Sequence, residues 1–270
     1  MNILAIGTGG NLGDYFVKNS RYRHFISSTV RESEPTRDFS LITWDKIHLP
    51  EKYRPDLIIN FANSYYPSPN MAELRNMQDA IVGVAHSIFN TNRIFSAPII
   101  AFSSYFQYAP IEMQPWSQYS ILKDESFRIY DGMDSTKIEL TLRDNFGGKR
   151  KNKFFDLALL ANKNGSQLNA NPGESIINLL HLSDICDGID TVIENLLHGA
   201  NSAHFEFKAR ESHTLRELVR LIDEVSLKET SVKWGTYPYR EKEVFEEWDC
   251  APTPPGWSPK LDLADYIRNF

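Results

Sequence analysis

The chain has 270 residues, with 29 Lys+Arg against 35 Asp+Glu, a formal net charge of −6, and 41% hydrophobic and 24% charged residues. That is globular composition; the acidic balance supports neither a nucleic-acid nor an anionic-membrane partner, and no apolar run approaches the roughly 20 residues of a spanning helix. Cys186 and Cys250 form no CxxC pair, and the seven histidines show no ligand spacing. The expectation is therefore a reducing, cytoplasmic compartment, no disulfide framework and no metal.

The predicted elements alternate. Asn2 to Ile6 reads as a buried strand running straight into glycines, which is a first strand and not a signal peptide. Leu12 to Asn19 has helical spacing, and His24 to Val30 and Ser40 to Trp44 read as strands. DLIINFA (Asp56 to Ala62) is a strand, Met77 to Phe89 a helix, Pro98 to Ser103 a strand, Gln118 to Ile129 a helix and Ile138 to Leu142 a strand. This alternation predicts βαβ units, a Rossmann-type parallel sheet with helices on both faces.

After Gly147 the texture changes: GGKRKNK is basic, and a helix (Phe154 to Ala161), a strand (Ile176 to Leu182), a long helix (Asp184 to Leu197) and a strand (His204 to Ala209) follow. Thr214 and Glu217 form a capping box ahead of LVRLIDEV. The tail from Trp234, rich in Pro, Trp and acidic residues, reads as irregular packed structure. The expected division is a dinucleotide-binding domain over 1–146, completed by about 176–205, and a smaller substrate domain from 147–175 and 206–270.

GTGGNLG spaces Gly7, Gly10 and Gly13 three apart between a strand and a helix. The first glycine permits the tight turn, the second a close approach of backbone to a pyrophosphate, and the third close packing of helix on sheet. The second strand, ISSTVRES, offers Ser28, Thr29 and Arg31 with no carboxylate before Glu32. That favours NADP, with NAD as the alternative, because an acidic residue there would take the ribose 2′-OH. Asp45, after the third strand, is placed to accept from an adenine amine, or is a turn aspartate.

Of twelve tyrosines only Tyr119 has a lysine four residues on, Lys123, in YSILK. On a helix both share one face. An ammonium near a phenol favours the phenolate, and such a tyrosine can exchange a proton with an oxygen whose carbon exchanges hydride. Ser103 and Ser104 end the strand PIIAFSS, at the sheet edge where ligands bind in doubly wound folds.

In these motifs the chain resembles the extended short-chain dehydrogenases/reductases, the NAD(P)-dependent epimerase/dehydratase family acting on nucleotide sugars. GTGGNLG resembles the family's TGGxGFIG, DLIINFAN its DxVIHxAA, AFSSYFQYAP its FxSSxxVYG, YSILK its YxxSK, LRDNFGG its LRxxNxYGP, HLSDICDGI its HVDDVAxAI, and the tail through PYREKEV and PPGWSP its WGxxPYRxxEx and LGWxP. The resemblance implies Ser104, Tyr119 and Lys123 as catalytic residues, counting Ser104 back from Tyr108. It implies cofactor contacts from Gly7, Gly10, Asn11, Leu12, Gly13, Ala62, Tyr119 and Lys123, beside Arg31 and Asp45, and substrate contacts from Asn145 and, at a pyrophosphate, Arg240.

Two departures bear on the reaction. The stretch from Ser104 to Tyr119 is short, and Tyr105 and Phe106 stand where the family's 4,6-dehydratases carry an Asp–Glu pair. The expectation is an NADPH-dependent reductase acting on a keto carbon, C4, of a nucleotide-linked deoxysugar. The alternatives are an epimerase and a non-catalytic NADP-binding regulator; no nucleic acid or membrane partner is expected, and a homodimer is allowed for. GGKRKNK is read as a solvated loop, Trp234, Trp248 and Trp257 as packing residues, and His181 as a satisfied core histidine.

Overall fold

A computed structural model describes residues 1–29, 54–151, 153–240 and 242–270. β1 (Ile3–Ile6) is buried along its length and leads into α1 (Asn11–Asn19). Next come β2 (Ile26–Thr29) and β3 (Leu57–Asn60). α2 (Met71–Gln78) and α3 (Val84–Phe95) are joined by a wide helical turn over Asp79–Gly83, so the predicted helix is longer at both ends. β4 (Ile99–Ser104), α4 (Gln118–Asp131), β5 (Lys137–Leu142) and a short β6 (Asp144–Phe146) follow.

The remainder comprises α5 (Phe154–Asn164), β7 (Leu168–Asn169), β8 (Ile176–Ile177) and β9 (Leu179–His181). Then come α6 (Leu182–Leu197), β10 (Ala203–Phe207), β11 (His213–Thr214), α7 (Leu215–Ser226), β12 (Val232–Lys233) and α8 (Leu263–Arg268). The single strand expected over Ile176 to Leu182 is two short ones, and His181 caps α6 by accepting from the Ser183 amide at 3.1 Å. The capping box of Thr214 and Glu217 forms as its sequence predicts.

Six of the described strands make a parallel sheet in the order β10-β5-β4-β3-β1-β2, and the other six pair as β11-β8, β12-β7 and β6-β9. The chain runs outward from β1 to β2 and returns on the other side at β3, so the switch point lies between β1 and β3. In such sheets the ligand crevice opens at that point, beyond the carboxyl ends of the strands. The strands are near-continuous apolar runs because both faces are covered. On one face Ile3, Ile59, Ile100, Phe102 and Leu140 pack with Phe16, Ile185, Ile189 and Phe207; on the other Leu4, Ile58 and Ala101 pack with Val84, Ile88 and Tyr130. A further cluster, with Phe146, Phe155, Leu179, Leu218, Ile222 and Ile267, joins α5, α7 and α8.

Candidate active site

The glycine loop sits where the switch point demands. Gly7 has φ +79°, and a Cβ there would lie 2.5 Å from the Ala62 backbone; one at Gly13 would lie 2.8 Å from Thr8 Cα. Both positions therefore exclude any side chain. Gly10 differs: it caps α1 in extended backbone, and its missing Cβ would meet only the Gly7 carbonyl at 3.4 Å. That leaves the first turn of α1, with its unpaired N–H groups, open to an anion. A pyrophosphate fits this cradle. Leu12 packs against the core, and the Asn11 carboxamide accepts from the Arg150 amide at 3.3 Å. The basic loop, expected to be merely solvated, is thus tied to α1, with Lys149 also 3.4 Å from Asp14. Arg31 and Asp45 lie outside the described residues; β2 ends at Thr29, in register with Ile6.

Tyr119 and Lys123 occupy one face of α4, and both are buried. The Tyr119 hydroxyl accepts from Asn63 Nδ2 at 3.0 Å, and Tyr65 meets its ring edge-on at 5.1 Å. Burial pushes the Tyr119 phenol up from its ordinary value, and the Asn63 hydrogen bond works against it. The expected pull of Lys123 on that phenol is not what shapes it. Lys123 Nζ donates to the Phe102 carbonyl at 2.7 Å and stands 5.8 Å from the Tyr119 ring centroid. Burial lowers the Lys123 ammonium to about 8.

The two serines at the end of β4 part company. Ser103 Oγ shares a hydrogen bond with Thr141 Oγ1 at 2.7 Å inside the sheet. Ser104, the last strand residue, opposite Leu142, caps the following turn: its amide donates to Gln107 Oε1 at 2.9 Å and its hydroxyl accepts from the Phe106 amide at 3.4 Å. Tyr105 and Phe106 enter an aromatic stack with Trp116 and Trp248. Burial pushes the Tyr105 phenol far up. No carboxylate follows Ser104.

β6 carries the next surprise. Asn145 makes no side-chain hydrogen bond to the described residues. Asp144, one residue earlier, has its carboxyl 3.9 Å from Lys153 Nζ. Burial raises the Asp144 carboxyl, while Lys153, Arg143 and Arg240 act against it. Arg240 is exposed and also acts on Tyr65. Its amide donates to Glu243 Oε1 at 3.3 Å. Arg240 thus acts on both Asp144 and Tyr65, and Asn145 adjoins Asp144 on β6. Asn63, Tyr65 and Asp144 were missed from sequence; only the position of Asn63 just past the DLIINFA strand signals a role.

Arg143 fixes the floor of this region. It is 4% exposed and donates through Nε to Glu206 at 2.6 Å, through NH1 to Glu247 at 2.8 Å, and to the Trp248 carbonyl. Trp248 Nε1 in turn donates to the Tyr105 carbonyl at 3.0 Å. Trp257 is buried against Phe207, and Trp234 lies against Arg216, so these tryptophans pack protein. Among the described residues no His/Cys/Asp/Glu group arranged to hold a metal occurs, and no helix is long and apolar enough to cross a membrane.

No protein-family model matches the chain. A CDP-abequose synthase from Yersinia pseudotuberculosis is 24% identical over 198 residues, 71% of this chain and 69% of that protein. Among solved structures, MoeE5 in complex with UDP-glucuronic acid and NAD is 15% identical with TM-score 0.81, over 99% of this chain and 96% of that one. The UDP-glucose 4-epimerase from Brucella ovis, in complex with NAD, is 16% identical with TM-score 0.77, over 99% and 96%. RMD from Pseudomonas aeruginosa, complexed with NADPH, is 14% identical with TM-score 0.73, over 99% and 97%. The chain is thus similar in sequence to this CDP-abequose synthase and shares the Rossmann-type α/β fold of these solved structures.

Proposed function

We propose that this NAD(P)-dependent enzyme reduces a keto group, at C4, of a nucleotide-linked deoxysugar, with NADPH as the reductant. The observation that carries the reading is the site around Ser104. A hydroxyl at the sheet edge is followed by buried aromatics where a dehydratase would need carboxylates. Such a site can polarise and protonate a carbonyl oxygen, but it offers no base after Ser104 for elimination. Similarity to a protein that makes a CDP-linked sugar supports the substrate class.

In this reading, bound NADPH supplies hydride to the keto carbon. Tyr119 gives the proton to its oxygen, Ser104 holds that oxygen, and Lys123 holds the nicotinamide ribose. Gly10 and the first turn of α1 take the pyrophosphate, with Asn11, Leu12, Gly13 and Ala62 lining that approach. Arg31 takes the 2′-phosphate, and Arg240 the substrate pyrophosphate. Asn145 faces the sugar from β6, with the Asp144 carboxyl beside it near Lys153. The cleft between the dinucleotide-binding and smaller substrate portions then encloses the reaction.

The runner-up is an epimerase that uses the same groups with tightly held NAD, a reading favoured by the NAD-bound epimerase of similar fold. A thermal-shift panel tests the substrate class: CDP-, UDP-, GDP- and dTDP-linked sugars with NADPH or NADH present. A true ligand at 100 times its dissociation constant adds about 2.7 kcal/mol. A nucleotide sugar that stabilises more with NADPH than with NADH supports the reductase. No stabilisation by any of them counts against a nucleotide-sugar substrate.

A further inference from the structure

β5, with the sequence KIELTL, is hydrogen-bonded on both sides, to β4 and β10. Such a strand in a parallel sheet is normally apolar throughout, and Glu139 breaks that rule. Its register partners are Ala101 and His204, so it leaves the sheet on the face where Ile99 and Ala101 pack with Tyr130 of α4. There it accepts from the Tyr108 hydroxyl, and His204 Nε2 lies 3.7 Å from its Oε1. Thr141 Oγ1 links His204 Nε2 to Ser103 Oγ, 2.7 Å on either side. The Glu139 side chain is 18% exposed and borders a cavity of ≈ 310 Å³ between β4, β5, β10 and α4.

Lys123 projects from α4, the helix on this same face. It is 5% exposed, and its Nζ is held by a neutral acceptor, the Phe102 carbonyl, next in sequence to Ala101. A buried ammonium without a nearby opposite charge is costly. We infer that Glu139 is a positioning residue for Lys123: its carboxylate, fixed by Tyr108 and His204, supplies the counter-charge that keeps the buried ammonium in place.

The other titratable groups on this face are Tyr108, Tyr119, Asp124, Tyr130, Asp131, Lys137 and His204. Asp124 accepts from Gln107 Nε2 at 3.0 Å and Asp131 pairs with Lys137 at 3.3 Å, whereas Glu139 stands in register beside Ala101, next in sequence to the Phe102 carbonyl that holds Lys123 Nζ. Consistently, burial drives Lys123 down to about 8 and Glu139 is the charge acting in the opposite sense. The functional consequence rests on the proposed role of Lys123 in holding cofactor; the charge pairing itself does not.

The test is thermal unfolding of the full chain across pH, without ligand, for wild type, E139Q, K123M and the double variant. Lys123 is lowered from 10.5 to about 8 in the folded state. The unfolded chain therefore binds more protons between those values, and its titration makes stability rise with pH across that window. E139Q should move the start of that rise down by about one pH unit, and this shift should vanish in the K123M background. E139L, which restores the apolar pattern of the strand, should show the same shift should E139Q fold poorly. A loss that is equal at every pH, or equal in both backgrounds, overturns the pairing. A wrong role for Lys123 shows separately, as unchanged NADPH affinity in K123M.

Discussion

The side-chain amide of Asn63, just past β3, donates to the Tyr119 hydroxyl on α4 at 3.0 Å. With that lone pair engaged, the phenol's own proton remains available to a second acceptor in the cleft. Burial keeps the phenol protonated, which suits an acid that delivers its proton only as charge develops on a substrate oxygen. Tyr119→Phe should keep the fold and cofactor affinity and lose turnover by about 10²–10⁴-fold. Steady-state kinetics beside a cofactor titration checks this, and near-normal turnover would remove Tyr119 from the mechanism.

The neighbouring serines give a test of register. Ser103 is spent on Thr141 within the sheet, whereas Ser104 ends the strand. Ser104→Ala should lower the rate with little change in cofactor affinity. Ser103→Ala should act mainly on stability, because it removes one of the two partners of the buried Thr141 hydroxyl and leaves His204, a loss of about 0.5–1.5 kcal/mol. Rate and unfolding midpoint measured on both variants separate the two; a rate defect confined to Ser103→Ala would shift the assignment by one residue.

Gly10 separates folding from binding. A methyl group there meets only the Gly7 carbonyl at 3.4 Å, but it occupies the approach to the first turn of α1. Gly10→Ala should unfold at nearly the wild-type temperature and bind NADPH at least about tenfold more weakly, a difference of 1.4 kcal/mol. Fluorescence titration reads the affinity, and unchanged binding would place the cofactor elsewhere.

The sequence made the sheet legible because parallel strands are short apolar runs with sharp ends, and Gly7, Pro55 and Pro98 mark them. The Thr214 cap was legible because its chemistry is local. β6 was not, since its three residues DNF carry no periodic signal and pair with β9 thirty-five or so residues away in register with Leu179 to His181. The environment of Lys123 was equally hidden, because helical spacing puts it on the face of Tyr119 yet says nothing of the Phe102 carbonyl that claims its ammonium. Arg31 and Asp45 remain readings of sequence, outside the described residues.

Arg143 joins the sheet to the tail through Glu206 and Glu247. Removing one partner of a buried pair strands the other charge, which costs about 3–5 kcal/mol. Arg143→Met should lower stability by that amount in denaturant unfolding. It should also loosen the aromatic stack around Tyr105, visible in tryptophan fluorescence because Trp248 donates to the Tyr105 carbonyl. A loss below about 1 kcal/mol would mean that the pair stands in bulk-like solvent, as exposed pairs do.

The reductase reading is tested most directly by mixing the enzyme with NADPH and nucleotide-linked 4-keto-6-deoxyhexoses, and following both nicotinamide absorbance and the sugar by NMR. The account predicts that NADPH is consumed in equal amount with a new C4 hydroxyl on the sugar, and that Tyr119→Phe abolishes both signals together. Conversion of a keto-free nucleotide sugar into its C4 epimer, with no net change in nicotinamide absorbance and no NADPH oxidation on the keto sugars, would contradict it.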